Sequence, residues 1–144
     1  MPHKFQLPQK YIARMVARLG REHVQETLEP DKTALVVVDM QNYFMDESQL
    51  AGCPVGQTID GNVNRIADVV RQTGGMVIWL QNFIPDHSTE TWKAAHERYS
   101  PKNQEVRLKS MKPCTWPFEF WPTLDIREED HQIIKRRYSA FIQG

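Results

Sequence analysis

The segment Thr33-Ala-Leu-Val-Val-Val-Asp39 limits the folds open to this chain more than any other. Its apolar, β-branched residues run without polar alternation, the pattern of a strand covered on both faces. Such strands belong to parallel sheets flanked by helices. A second apolar run, Met76-Val-Ile-Trp-Leu80, ends in Gln81-Asn82. Between the two, Ile59, Val63, Ile66 and Val70 recur at three- and four-residue intervals. That spacing predicts a crossover helix with Thr58 or Asp60 as N-cap and Gly74-Gly75 as its stop. Strand, helix and strand in close succession make a βαβ unit, which calls for parallel pairing. Asp130-His-Gln-Ile-Ile-Lys135 reads as a third, short strand, with Tyr138-Ser-Ala-Phe141 after it. The expected fold class is α/β.

Elsewhere the patterns are weaker. Tyr11, Met15 and Leu19, alongside Ile12, Val16 and His23, stand at helical spacing before Pro30. They predict an amphipathic helix packed on the outside of the domain. Residues 1–30 then form an N-terminal helical extension and 31–144 the domain itself. Residues 40–57 contain Gly52, Pro54 and Gly56 and read as loop. Pro85 to Pro122 reads as a long irregular connection with a helical piece near Thr89–Tyr99. Its aromatics Trp116, Phe118, Phe120 and Trp121 argue against disorder. They leave two readings, a binding lid or a plug for one end of the core.

A chain of 144 residues fits one domain. Lysine plus arginine number 18 and aspartate plus glutamate number 18, so no broad basic field exists to hold a phosphate backbone, and nucleic acid is not an expected partner. The composition, 40% hydrophobic and 25% charged, is globular and too interrupted by charge for a membrane span. No signal-peptide pattern opens the sequence. Cys53 and Cys114 are too few for a disulfide framework, and a cytoplasmic chain with reduced thiols is expected.

In open parallel sheets, ligands bind outside the carboxyl ends of the strands. Asp39, Asn82 and Lys135 end the three predicted strands and would share one rim. A carboxylate and an amine brought together there could move protons and stabilise a developing anion. Each also has a plainer reading: Asp39 as turn former or helix cap, Asn82 as turn residue, and Lys135, beside Arg136 and Arg137, as part of a solvated charge run. An aspartyl-nucleophile phosphatase is excluded because position 41 is Gln41 where a second carboxylate is needed. No glycine-rich phosphate loop follows any strand.

Ala34-Leu-Val-Val-Val-Asp39-Met-Gln-Asn-Tyr-Phe44, Gly74-Gly-Met-Val-Ile-Trp79 and Ile134-Lys135-Arg-Arg-Tyr-Ser-Ala-Phe141 together resemble the isochorismatase-like cysteine hydrolases. Thr115-Trp116 and Gln81-Asn82 are similar to the ureidoacrylate, biuret and carbamoyl amidohydrolase branch. The resemblance implies a three-layer α/β/α sandwich on a six-stranded parallel sheet, usually in a homo-oligomer, with a triad of aspartate, lysine and cysteine and no required cofactor. Carried over, Asp39 matches the aspartate that accepts the thiol proton. Lys135 matches the lysine that holds thiolate and oxyanion. Asn82, Trp116 and Tyr138 fall at expected substrate-binding positions. The implied substrate is a small amide or ureido compound whose C–N bond is cleaved.

The chain departs from that pattern in two places. The family's cysteine follows a fourth strand, in a Gly-x-x-Thr-x-x-Cys-Val turn that is not among these residues. Cys53 and Cys114 lie in loops that do not open a helix, so neither is expected to replace it. About the first three strands are therefore expected, with the first strand left as an edge. An inactive fragment that acts only by pairing with a full-length partner is the alternative function. Some relatives bind a metal through Asp-x-His after the second strand. Here Asp86 and His87 are adjacent and would point to opposite faces, so no metal is expected.

Overall fold

The computed structural model describes residues 6–25, 27–86 and 92–142. Three strands form one parallel sheet: β1 (Ala34–Val38), β2 (Met76–Asn82) and β3 (His131–Lys135), in the order β1-β2-β3. Val36 stands beside Ile78 and His131, Val37 beside Trp79 and Gln132, and Asn82 beside Lys135. Helix α3 (Asp60–Gln72) is the crossover between β1 and β2. The α/β class and the parallel sheet are as expected.

One face of the sheet carries the core. Val37, Val77 and Trp79 pack with Ala67 of α3, joined by Met40, Met45 and Leu124, and Leu35, Val63, Val70, Phe120 and Trp121 close around them. Trp79 is fully enclosed, and its indole Nε1 donates to Asp130 Oδ2 at 2.8 Å. Arg71 of α3 donates from Nε to Asp130 Oδ1 at 2.8 Å and from Nη2 to Asp130 Oδ2 at 2.5 Å. Helix, central strand and the turn before β3 are thus riveted by one buried ion pair. Gly75 makes the close turn into β2 possible, because a Cβ there would stand 2.9 Å from the carbonyl oxygens of both Pro30 and Thr33. Gly74, at φ 83°, supplies the left-handed turn that ends α3.

Several expectations are corrected. The β1 run was expected to be covered on both faces, but Val36 is 48% and Val38 52% exposed. The reason is position: β1 is a sheet edge, and α3 covers only the face of Leu35 and Val37. The N-terminal helix α1 (Gln9–Leu19) forms, yet it stops at Gly20, which is left-handed at φ 72°, well before Pro30. It buries no residue, so it is not packed on the domain. Thr58 and Asp60 do not cap α3. A 3-10 turn (Pro54–Ile59) runs straight into the helix, and Asp60 is already its first residue. The stretch read as loop also holds a helical turn, α2 (Asn42–Met45).

The long connection is less irregular than expected. Its helical piece is one turn, α4 (Lys93–His96), and Thr89 lies outside the described residues. A longer helix, α5 (Pro101–Ser110), follows. Pro101 stands at its first position, where the missing N–H is no loss, and Ser100 Oγ accepts from Asn103 N at 3.3 Å. The aromatics mostly plug the core: Phe118 is buried, and Phe120 and Trp121 pack on the main cluster.

Candidate active site

β1 ends in a residue with unusual backbone. Asp39 has φ 57°, in the left-handed region that an aspartate tolerates better than most side chains but still at a cost of about 1 kcal/mol. Its N–H donates to Leu80 O at 3.0 Å, so the twist happens while the chain is still tied to β2. β3 ends in Lys135, paired across β2. The two side chains meet there: Lys135 Nζ lies 2.8 Å from Asp39 Oδ2, with the lysine side chain 3% exposed and the aspartate 25%. Lys135 Nζ also donates to Tyr138 O at 3.4 Å.

The second carboxylate oxygen, Asp39 Oδ1, is buried and has no hydrogen-bond partner. Burial raises the Asp39 pKa above the ordinary carboxylate value, while the hydrogen bond and charge of Lys135 pull it back without cancelling the shift. The result is a carboxylate more basic than usual, with one oxygen held by an ammonium and the other open to a proton.

A buried glutamine frames this pair. Gln41 is wholly enclosed; its Nε2 donates to Phe118 O at 2.7 Å and to Asn82 O at 3.2 Å, and its Oε1 accepts from Asn82 N at 2.7 Å. One amide thus satisfies both backbone groups of the last residue of β2, as a neighbouring strand would. Gln81 Nε2 adds a bond to Phe118 O at 3.2 Å, and Asn42 Nδ2 donates to Trp116 O at 2.8 Å. The backbone of Gln41 also bridges Phe120 in antiparallel fashion. The rim is therefore braced from the strand ends to the aromatic segment. Sequence reasoning used Gln41 only to exclude a phosphatase. The available signal was an amide directly after a β-branched strand, where burial demands that all of its polar atoms be satisfied.

The expected substrate-binding residues are placed unequally. Asn82 is buried on the same sheet face as Lys135 and beside it. Tyr138 approaches Lys135 by its carbonyl alone. Its ring is exposed, packed edge-on to Trp92 at 4.7 Å, and its hydroxyl is hydrogen-bonded to Arg98. Trp116 is 50% exposed and reaches the rim only through the carbonyl that holds Asn42. The largest cavity, about 340 Å³, opens at the opposite end of the strands among Asp31, Arg71, Gly75 and His131, away from the acid–amine pair.

Both cysteines are exposed, Cys53 at the start of the 3-10 turn and Cys114 in the turn after α5. Among the described residues no group of three or more histidine, cysteine, aspartate or glutamate side chains is placed to hold a metal ion. Asp86 is ion-paired with Lys112, and His87 lies outside the described residues. No helix among the described residues is long and apolar enough to cross a membrane.

An α/β fold with a carboxyl-end rim carrying a half-buried acid and a buried amine defines the class of molecule. Residues 33–144 match the isochorismatase domain, and the chain belongs to that family. It is 34% identical over 110 residues to a probable inactive nicotinamidase of Arabidopsis thaliana, covering 76% of this chain and 54% of the relative. It is 30% identical over 128 residues to the ureidoacrylate amidohydrolase RutB of Klebsiella variicola, covering 80% and 54%. Among solved structures, a cysteine hydrolase from Pseudomonas syringae pv. phaseolicola superposes with a TM-score of 0.69 at 21% identity, covering 83% of this chain and 54% of that one. A zinc-complexed pyrazinamidase of Pyrococcus horikoshii gives 0.55 at 22% identity, covering 76% and 58%. The two structural likenesses bear on the fold alone. The chain spans about half the length of the curated relatives it matches.

Proposed function

We propose that this chain carries the aspartate and lysine of a cysteine hydrolase that cleaves the C–N bond of a small amide or ureido substrate. The observation that supports this reading is the Asp39–Lys135 pair, 2.8 Å apart, with Asp39 Oδ1 left open. A thiol near its usual pKa of about 8.5 is mostly protonated at neutral pH and needs a base beside it. In the proposed step Asp39 Oδ1 takes the thiol proton, and the thiolate attacks the carbonyl carbon. Lys135 stabilises first the thiolate and then the negative oxygen of the tetrahedral intermediate. When the C–N bond breaks, Asp39 returns its proton to the departing nitrogen, and water then releases the acyl group from sulfur. Asn82, beside Lys135, is placed to hold the substrate amide. The thiol is supplied by polypeptide outside these 144 residues, since Cys53 and Cys114 are exposed loop residues with no recorded contact to Asp39 or Lys135.

A second reading is a non-catalytic half-sheet that pairs with a full-length relative. The exposed edge strand β1, with Val36 and Val38 open, favours it. Ammonia release from nicotinamide, biuret and ureidoacrylate separates the two, measured on this chain and on a version extended by its downstream coding sequence. Release only in the extended version, lost in Asp39→Asn and Lys135→Ala, supports the hydrolase. No release in either supports the pairing role. Release by the present chain that vanishes on Cys114→Ser or Cys53→Ser overturns the assignment of the thiol.

A further inference from the structure

A second set of buried polar groups lies close to the rim and has no part in the chemistry just described. Tyr43, in α2, is 2% exposed, His96, in α4, 3%, and Arg107, in α5, 6%. Within this set the Tyr43 hydroxyl, both ring nitrogens of His96 and Arg107 Nη1 are enclosed without a hydrogen-bond partner. Arg107 is the hub: its charge acts on the Tyr43 hydroxyl and on the His96 imidazole, so the three groups share one region.

What is missing there is negative charge. Arg107 makes no ion pair among the described residues; its guanidinium lies over the Tyr99 ring at 5.0 Å. The other charged group felt by His96 is Arg137, a second guanidinium. A buried cation without a counter-charge costs several kcal/mol, and each enclosed donor without an acceptor adds to it. Three donors facing no acceptor match one acceptor-rich anion, because a carboxylate offers about four lone-pair sites on two oxygens. Burial pushes the Tyr43 hydroxyl up to about 12, so it remains a donor across the physiological range. The set also adjoins the site: Tyr43 follows Asp39 on the chain that leaves β1, its N–H donates to Pro117 O at 2.9 Å, and Arg137 closely follows Lys135.

We propose that Arg107, Tyr43 and His96 form a receptor for a carboxylate carried by the substrate, so that the preferred amide or ureido compound is an acid and not a neutral molecule. This rests on the hydrolase reading and narrows its substrate class. Arg107 supplies the charge, and Tyr43 and His96 supply directed N–H and O–H bonds. The carboxylate anchors one end of the molecule while its carbonyl lies toward Asp39 and Lys135.

Binding, measured without turnover, tests it. Isothermal titration of the chain with 3-ureidopropionate and with its neutral primary amide should show the acid binding at least tenfold more tightly. Arg107→Met should abolish that preference and leave the amide's affinity unchanged. Tyr43→Phe, which keeps the ring and removes only the hydroxyl, should weaken the acid several-fold and leave the amide alone, and it serves if Arg107→Met does not fold. Equal binding of acid and amide, no detectable binding of the acid, or an acid preference that survives in Tyr43→Phe and in folded Arg107→Met would overturn the proposal. Ammonia release in the extended version from neutral substrates, without any acid preference, removes the receptor and keeps the hydrolase. Acid preference without ammonia release does the reverse.

Discussion

Asp39 and Asp130 are both buried carboxylates, yet their neighbours drive them in opposite directions. Desolvation works against the charge of Asp130, but the Arg71 hydrogen bond, the Arg127 N–H and the Trp79 indole outweigh it and bring its pKa down to about 2. An unfolded aspartate titrates at about 4. The stabilisation from Asp130 is therefore complete above that value and is lost as the pH falls towards 2. Asp130→Asn leaves Arg71 with only the half-exposed Asp125 as counter-charge. It should cost about 3 kcal/mol at pH 7 by urea denaturation, and the loss relative to the parent should shrink as the pH is lowered towards 2. Asp39 has the other sign: its pKa is raised, so its ionised form opposes folding above that raised value, and the penalty fades on acidification. In a catalytically competent form, activity should fall on the acid side as Asp39 gains its proton. Lys135→Met removes the charge that favours ionisation, so the acid limb measured in kcat/KM should move to higher pH, along with a large loss of rate. Asp39 and Lys135 were legible in sequence because each ends an apolar run. Gln41, His96 and Arg107 were not, because nothing in their spacing distinguishes an enclosed polar side chain from a solvated one.

At the level of elements, hydrophobic periodicity located what packs and misjudged what does not. β1, β2, β3 and α3 were all foreseen, since each buries a regular apolar set against the others. Helix α5 was missed because Pro101 was read as part of an irregular run, when at a helix start it is a favourable residue. Ser100→Ala should destabilise the protein by about 1 kcal/mol, read as a shift in the urea midpoint with unchanged slope. Helix α1 shows the converse error. Its apolar stripe is real, but Tyr11, Val16 and Leu19 remain exposed and no residue is buried. Removal of residues 1–20 should therefore change the midpoint of unfolding by less than about 0.5 kcal/mol equivalent, as expected where no buried contact is lost.

For the molecule as a whole, the unshared features are an open edge and a half-covered sheet. Val36 and Val38 expose apolar side chains on the edge strand, and Ile133 extends the same face through the register Val38, Leu80, Ile133. Such an edge is a template for pairing with another chain. Val38→Lys should leave the stability of the monomer nearly unchanged and reduce concentration-dependent association, as measured by light scattering. Unaltered association would place the contact elsewhere. The sequence by itself determined the α/β class, the parallel order of its strands and the residues that end them, because burial on a sheet writes a pattern into neighbouring positions. Only the tertiary structure decided that Asp39 and Lys135 meet at 2.8 Å, that Gln41 locks the end of β2, and that Arg107 is enclosed without an acid. Those facts depend on contacts between residues remote in the chain, and no local periodicity records them.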